Sequence, residues 1–176
     1  YRSTYYLADK MSIWVCEDEQ AMKDLFERQL KTLKTDYIDF YLVHSLNRDH
    51  YKKVKEFHCV EFLQEMKRQG KIKHLGFSFH DKPDVLERIL AAHDWEFAQI
   101  QLNYLDWELQ DARRQYELIE QKGIQCTIME PVRGGMLATL TPEAVDCFQQ
   151  ANPNVSTASW AIRYAASLPN VLTVLS

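Results

Sequence analysis

Residues 35–45 have the sequence Thr-Asp-Tyr-Ile-Asp-Phe-Tyr-Leu-Val-His-Ser, and this stretch decides the fold of the 176-residue chain. The run from Ile38 to Val43 is apolar apart from Asp39 and ends abruptly in polar residues. Such a run is typical of a strand that is buried on both faces, as in a parallel sheet. Alternation along the strand puts Phe40, Leu42 and His44 on one side.

The composition predicts a globular protein and excludes several classes of partner. The net charge is −4 with 26% charged residues, so nothing favours binding to nucleic acid or to an anionic membrane surface. No segment approaches the roughly 18 apolar residues of a membrane span. We therefore expect a cytoplasmic protein without nucleic-acid or membrane partners.

The four cysteines are far apart in the sequence and none belongs to a C-x-x-C pair: Cys16, Cys59, Cys126 and Cys147. Metal or cluster ligation within this stretch is therefore unsupported, and we predict no metal site. Single scattered cysteines in an intracellular fold are mostly small buried hydrophobic residues.

Outward from the central stretch, strand and helix patterns alternate. Six strands are predicted, at Tyr5–Ala8, Ile38–Val43, His74–Ser78, Glu96–Leu102, Ile124–Met129 and Val171–Leu175. The first leads to Lys10 and a loop through Trp14, and the second to a polar loop as far as about Lys53. Gly70 and Gly123 are predicted to end helices, and Asp81 to cap a helix that has Pro83 in its first turn.

This alternation requires a parallel sheet, because each strand must be re-entered from the same end. A doubly wound nucleotide-binding fold should carry a glycine-rich turn after an early strand, and no early join has G-x-G-x-x-G. A complete (β/α)₈ barrel needs roughly 250 residues. We therefore predict an α/β fold in which residues 1–176 form a single domain, an incomplete portion of a (β/α)₈ TIM barrel. His44 then lies at the carboxyl end of its strand, where barrels keep their chemistry; the ordinary alternative is a histidine that caps a strand.

Four segments together resemble the aldo/keto reductase superfamily. They are Thr35–His44, Gly70–Ser78, Phe97–Tyr104 and the stretch from Gly123 to Gly135, which occur in family order and at family spacing. The details Phe77–His80 and Met129–Pro131 are most similar to a bacterial branch that carries an added C-terminal iron–sulfur segment.

The resemblance implies NADP(H) binding and hydride transfer between nicotinamide and an aldehyde, ketone or alcohol. Of the family's catalytic tetrad of Asp, Tyr, Lys and His, it places the lysine at Lys10 and the histidine at His44. The Asp and Tyr are expected upstream of Tyr1. A phenol titrates near pH 10 unless a cation stabilises its phenolate, so a lysine beside the tyrosine makes chemical sense.

The resemblance also assigns cofactor contacts. Ser78 and Gln99 would hold the nicotinamide carboxamide, and Met129 would lie beneath the ring. The pyrophosphate would meet the run Arg133, Gly134 and Gly135. Phe79 stands where relatives usually have an asparagine. A 4Fe–4S cluster would belong to a segment outside this chain.

Three functions follow from these expectations. The favoured one is a reductase of a small-molecule carbonyl substrate, with an electron-transfer partner if the iron–sulfur segment exists. The second is a cofactor-binding regulatory or redox-sensing subunit with little turnover. A scaffold is least favoured, because Lys10, His44, Ser78 and Gln99 are all predicted at one end of the sheet.

Overall fold

The computed structural model describes residues 1–175, in which strands and helices alternate. The strands are β1 Ala8–Met11, β2 Ile38–Leu46, β3 Ile72–Phe79, β4 Phe97–Gln101, β5 Gln125–Met129 and β6 Val171–Val174. The helices are α1 Glu19–Leu33, α2 Arg48–Glu56, α3 Cys59–Arg68, α4 Pro83–Ala92, α5 Asp106–Leu109, α6 Ala112–Lys122, α7 Pro142–Ala151 and α8 Thr157–Ala166. In the described residues no helix has the length and apolarity that a bilayer span requires.

The chain divides into two compact units, one ending at Ala98 and the other beginning at Gln99. Whether residues 1–176 act as a single domain stays a prediction, and Ser176 lies outside the described residues.

In the first unit, β1, β2 and β3 are neighbours in chain order and run parallel. Lys10 is opposite Leu42, and Leu42 is opposite Gly76. Strand β2 is paired on both sides, and six of its nine residues are buried. The predicted strand is therefore confirmed and extends beyond His44 to Leu46.

Helix α1 follows from its sequence pattern. Its N-cap Asp18 accepts a hydrogen bond from the Ala21 amide at 2.7 Å, which satisfies one of the free N–H groups of the first turn. Met22, Phe26 and Leu30 recur every four residues and form its buried face.

Helix α3 ends at Gly70, as predicted. Gly70 has φ +79°, the Lys71 amide donates to the Met66 carbonyl, and the Gly70 amide donates to the Lys67 carbonyl. This is the pair of bonds of a Schellman motif, which favours glycine at its left-handed position.

The second unit contains the end of β4 from Gln99 onward, followed by β5 and β6, and β5 and β6 are parallel. The Leu102 amide donates to the Met129 carbonyl at 3.2 Å, just beyond β4. Asn170 fixes the start of β6, because its side chain donates to the Ile124 carbonyl and its amide donates to the Tyr116 hydroxyl.

The first strand differs from the prediction. It begins at Ala8, because Tyr5 and Tyr6 are exposed and lie outside the sheet. Lys10 therefore lies within β1 rather than just past a strand.

The predicted polar loop to Lys53 is wrong, since α2 occupies most of it. Helix α2 buries only Val54, so it has no apolar stripe for a sequence pattern to detect. Asn47 caps it, accepting from the Asp49 and His50 amides. Asp81 was predicted to cap α4, but Lys82 holds that position; Asp81 instead accepts from the Arg48 amide at 2.7 Å.

Two smaller expectations also need correction. The single-turn helix α5 was not predicted. Cys16, Cys59 and Cys126 are buried as expected, whereas Cys147 is exposed on α7.

We expect Gly76→Ala to destabilise the protein by about 2 kcal/mol or more, because the added Cβ would lie 2.5 Å from the Phe97 carbonyl oxygen and 2.7 Å from its ring. Gly70→Ala is the matched control, since its Cβ meets nothing within 4 Å and its cost is the left-handed backbone alone, about 1 kcal/mol. Urea unfolding of both variants measures the difference. Equal losses would show that strands β3 and β4 are not in close contact at this point.

Candidate active site

Lys10 and His44 lie on adjacent strands of the first unit, with side chains on the same face. Lys10 is opposite Leu42, and His44 is two residues further along β2, so the two side chains share the parity of the pleat. Burial lowers the pKa of His44, and the ammonium of Lys10 lowers it further.

The His44 imidazole is half-buried and held by two neighbours. Its Nδ1 lies 3.0 Å from the Ser12 hydroxyl, and its ring centroid lies 4.8 Å from that of Trp14. Burial lowers the pKa of His44 below its ordinary value, and the charges of Lys10, His80 and His50 lower it further. The ring is therefore neutral at neutral pH.

The residue after His44 turns the chain sharply. Ser45 has φ +53°, at an irregularity in the β2–β3 register. Its amide donates to the Ser78 hydroxyl and its carbonyl accepts from Nδ1 of His50, both at 2.7 Å. A serine rarely adopts this backbone conformation, so the two side chains stabilise it.

Ser78 therefore has a definite structural partner. It is fully buried, and its oxygen accepts the Ser45 amide. The hydroxyl proton of Ser78 is not used in that bond, so the side chain keeps one donor. Its predicted contact with the nicotinamide carboxamide stays a prediction.

The backbone of Lys10 is anchored from α1. Gln29 donates to the Lys10 carbonyl at 2.8 Å and accepts from the hydroxyl of the buried Tyr41. Burial lowers the pKa of the Lys10 ammonium, while the adjacent carboxylate of Asp9 opposes that shift. Burial likewise raises the pKa of Asp9, although the Lys10 amide and ammonium partly offset it.

In the second unit the structure brings Gln99 and Met129 together. Gln99 is 3% exposed, and its amide nitrogen lies 3.2 Å from the Met129 sulfur. A thioether is a weak acceptor, so this donor could exchange it for a stronger partner.

The loop after β5 is built from left-handed residues. Glu130 (φ +57°), Arg133 (+52°), Gly134 (+59°) and Gly135 (+90°) all lie in this region. The Glu130 carboxylate accepts from the Gly134 amide at 2.5 Å, and its carbonyl accepts from the Asn103 side chain at 3.0 Å. The Gly134 amide, one of the groups predicted to meet the pyrophosphate, is therefore already bonded to the Glu130 carboxylate.

Arg133 has a buried partner that the sequence did not predict. Its Nε lies 3.1 Å from Oδ1 of Asp106, which is fully buried and receives no aligned hydrogen bond at that oxygen. The other oxygen of Asp106 accepts from Gln101 and Asn103. The guanidinium is thus already paired with an anion.

Each unit brings together one pair of the predicted site residues. Lys10 and His44 are brought together in the first unit, and Gln99 and Met129 in the second. The shared site of Lys10, His44, Ser78 and Gln99 stays a prediction, as do the roles of all the assigned residues.

Sequence reasoning missed the residues that support these sites: Ser12, Trp14, His50, Asn103 and Asp106. Asn103-x-x-Asp106 was detectable as a helix start, since the Asn103 oxygen accepts from the Leu105 and Asp106 amides. No sequence pattern marked His50, which contacts the Ser45 carbonyl at the left-handed turn.

Solved structures with the same fold support a barrel of the (β/α)₈ type. Aldo-keto reductase AKR11C1 from Bacillus halodurans in its holo form matches with a TM-score of 0.76 and 22% identity, covering 98% of this chain and 62% of that chain. The thermostable aldo-keto reductase Tm1743, solved with the inhibitor epalrestat, matches with a TM-score of 0.77 and 21% identity, covering 99% and 61%. This chain thus corresponds to an incomplete portion of that barrel.

A third match is the glycerol dehydrogenase AKR11B4 from Gluconobacter oxydans, with a TM-score of 0.69 and 17% identity, covering 89% of this chain and 54% of that chain. No curated protein sequence is significantly similar to this chain. The chain spans about 60% of the length of the first two matched structures.

The sequence profile of the aldo/keto reductase family matches residues 1–176, the whole chain. The protein therefore belongs to the aldo/keto reductase family.

We expect Lys10→Met to raise the pKa values of both His44 and His80, because the Lys10 ammonium lowers each of them in addition to the effect of burial. Titration of the histidine ring protons by NMR measures both values. Lys31→Met, on the exposed side of α1, is the matched control and should leave both unchanged. Unaltered pKa values in Lys10→Met would contradict the proximity of Lys10 to the two rings.

We expect Asp106→Asn to destabilise the protein by about 2–3 kcal/mol, because it puts an amide donor against the Arg133 guanidinium or leaves that cation unpaired. Asp146→Asn makes the same change at an exposed position of α7 and should be nearly neutral. Urea unfolding compares the two. Similar midpoints would mean that the ion pair contributes nothing.

Proposed function

We propose that this chain supplies the lysine and histidine of a nicotinamide-dependent oxidoreductase that reduces aldehydes or ketones, or oxidises the corresponding alcohols. The observation that carries the proposal is the placement of His44 and Lys10 on the same face of adjacent parallel strands. The lowered pKa of His44, caused by burial and then by nearby positive charges, agrees with it. Family membership supports the reaction class.

His44 would act as a hydrogen-bond donor to the carbonyl oxygen. A neutral imidazole can donate one proton without carrying a charge, and the bond strengthens as negative charge develops on that oxygen. The lowered pKa of His44 keeps the ring in this form.

Lys10 would act on the family's tyrosine, which is expected outside this chain. An ammonium near a phenol favours the phenolate and so lowers its pKa towards neutrality. The lowered pKa of Lys10 reflects its burial, which leaves its charge less screened by water.

NADPH would supply the hydride, and the fit of the chain to this cofactor is uneven. Among the described residues the side-chain nitrogen of Gln99 donates to the Met129 thioether, a weak acceptor, and the Ser78 oxygen accepts from the Ser45 amide without using the hydroxyl proton. Each of these side chains, taken by itself, suits a carboxamide. The loop after β5 suits a phosphate less directly. A phosphate there must displace the Glu130 carboxylate from the Gly134 amide, and Arg133 is already paired with Asp106.

Small hydroxylated carbonyl compounds are the favoured substrate class. Two structurally similar proteins are described as a glycerol dehydrogenase and as a putative 2,5-diketo-D-gluconic acid reductase B. Both names describe enzymes that act on small polar compounds and convert an alcohol to a carbonyl group or the reverse.

The second candidate is a cofactor-binding regulatory or redox-sensing subunit with little turnover. The departure at Phe79, where relatives usually have an asparagine, favours this candidate over the enzyme. The occupied amide of Gly134 and the paired Arg133 weigh equally on both candidates, because both require a bound cofactor. A 4Fe–4S segment, an electron-transfer partner and a cytoplasmic location stay part of the prediction for the complete protein.

The test is NADPH-dependent reduction of small aldehydes by the full-length protein and its His44→Asn variant. Asparagine places a polar atom near the position of Nδ1 and has nothing at the position of Nε2. We expect kcat to fall on the order of 100-fold, with cofactor affinity nearly unchanged.

His58→Asn is the matched control, because His58 is an exposed histidine with φ +50°, which asparagine tolerates. Turnover equal in the wild type and both variants would remove His44 from the reaction. NADPH binding without any turnover in the wild type would favour the regulatory subunit instead.

A further inference from the structure

The chemistry proposed for His44 depends on which ring nitrogen carries its single proton. A neutral imidazole has one N–H and one lone pair, and the partner of one nitrogen decides the state of the other. In His44 the nitrogen with a protein partner is Nδ1, which faces the Ser12 hydroxyl at 3.0 Å.

Ser12 reaches this position because of the strand register. It follows directly after the last residue of β1, and the pairing of Met11 with Val43 puts it level with His44 on the neighbouring strand. Its side chain shares the parity of Lys10, so both groups approach the imidazole from β1. Ser12 belongs to none of the predicted site residues.

The ring plane of His44 is restrained from the side. Trp14 packs against it at 4.8 Å between ring centroids, and Trp14 also stacks on His50 at 5.0 Å with an interplanar angle of 23°. His50 is in turn fixed, because its Nδ1 donates to the Ser45 carbonyl at 2.7 Å. This arrangement opposes a flip that would exchange the two edges of the His44 ring.

We propose that Ser12 is a positioning residue for His44: its hydroxyl donates to Nδ1 and so keeps the imidazole proton on Nε2. The direction of the bond rests on the proposed function, since a carbonyl oxygen only accepts and Nε2 must therefore carry the proton. A hydroxyl can also accept, in which case Nδ1 would hold the proton and Nε2 would present a lone pair.

The tautomer is measurable without substrate or cofactor. Two-bond ¹⁵N–¹H correlation spectra of the full-length protein distinguish a protonated from an unprotonated ring nitrogen, and the His44 signals are identified by their loss in His44→Asn. We expect the wild type to hold the Nε2–H form. A wild-type ring with its proton on Nδ1 would overturn the proposal without any variant.

Three variants separate positioning from structure. Ser12→Ala removes the donor and should give a mixture of tautomers, whereas Ser12→Thr keeps a hydroxyl and should retain the wild-type form. Ser3→Ala removes an exposed serine of the same unit and should change nothing. A pure Nε2–H ring in Ser12→Ala would also overturn the proposal.

Turnover provides the second readout. Loss of one hydrogen bond should lower kcat about tenfold in Ser12→Ala with KM nearly unchanged, and Ser12→Thr should restore most of it. Absence of turnover in the wild type would count against the proposed function alone, because the spectra still report the tautomer. Turnover that is normal in Ser12→Ala despite a mixed tautomer would show that Ser12 does not position His44 for the reaction.

Discussion

Strand β2 is buried on both faces and paired on both sides, and this constraint organises the first unit. A polar group that is buried in such a strand has little access to water, so it must find a partner in the protein. Asp39 shows the consequence: its carboxylate accepts from the Arg2 guanidinium at 2.6 Å and from the Leu7 amide at 2.9 Å. Although burial raises the pKa of Asp39, these two donors hold it below the ordinary value.

The same requirement fixes the parts that matter for chemistry. The Tyr41 hydroxyl donates to Gln29, and Gln29 donates to the Lys10 carbonyl. The Ser45 amide donates to the Ser78 hydroxyl, and the Ser45 carbonyl accepts from His50. Three of these four bonds join β2 to another element of the unit, and the fourth joins α1 to β1. The position of His44 therefore follows from the hydrogen bonds of its neighbours, and a rigid support of this kind suits the role that we propose for it, donation to a developing oxyanion.

The second unit solves a similar problem with a buried network. Asn103 is fully buried and makes bonds with the Asp106 side chain, two amides at the start of α5 and the Glu130 carbonyl. It thereby ties a helix start to a strained loop. Because Asp106 also faces Arg133, the loop after β5 is stabilised by internal charges that a bound phosphate would have to accommodate.

The sequence by itself determined the order of the six strands, the two-sided burial of β2 and the family. These depend on apolar runs, helical spacing and motifs that are local, such as the Gly70 and Gly123 helix ends. It failed where local signals were weak or misleading. Tyr5 and Tyr6 favoured a strand but are exposed, and α2 carries almost no apolar stripe.

Only the tertiary structure decided the partners of the site residues. The contact of Ser12 with His44 joins positions 32 residues apart, and that of Ser78 with Ser45 joins positions 33 apart. Such contacts depend on strand register and on the irregularity after Val43, which no short window of sequence contains. Arg133, beside two glycines, was likewise predicted to contact a phosphate. Only the tertiary structure shows that the carboxylate of Asp106 already lies against it. Local sequence specifies which groups are present, whereas the pairing of distant strands and loops decides which of them are already satisfied.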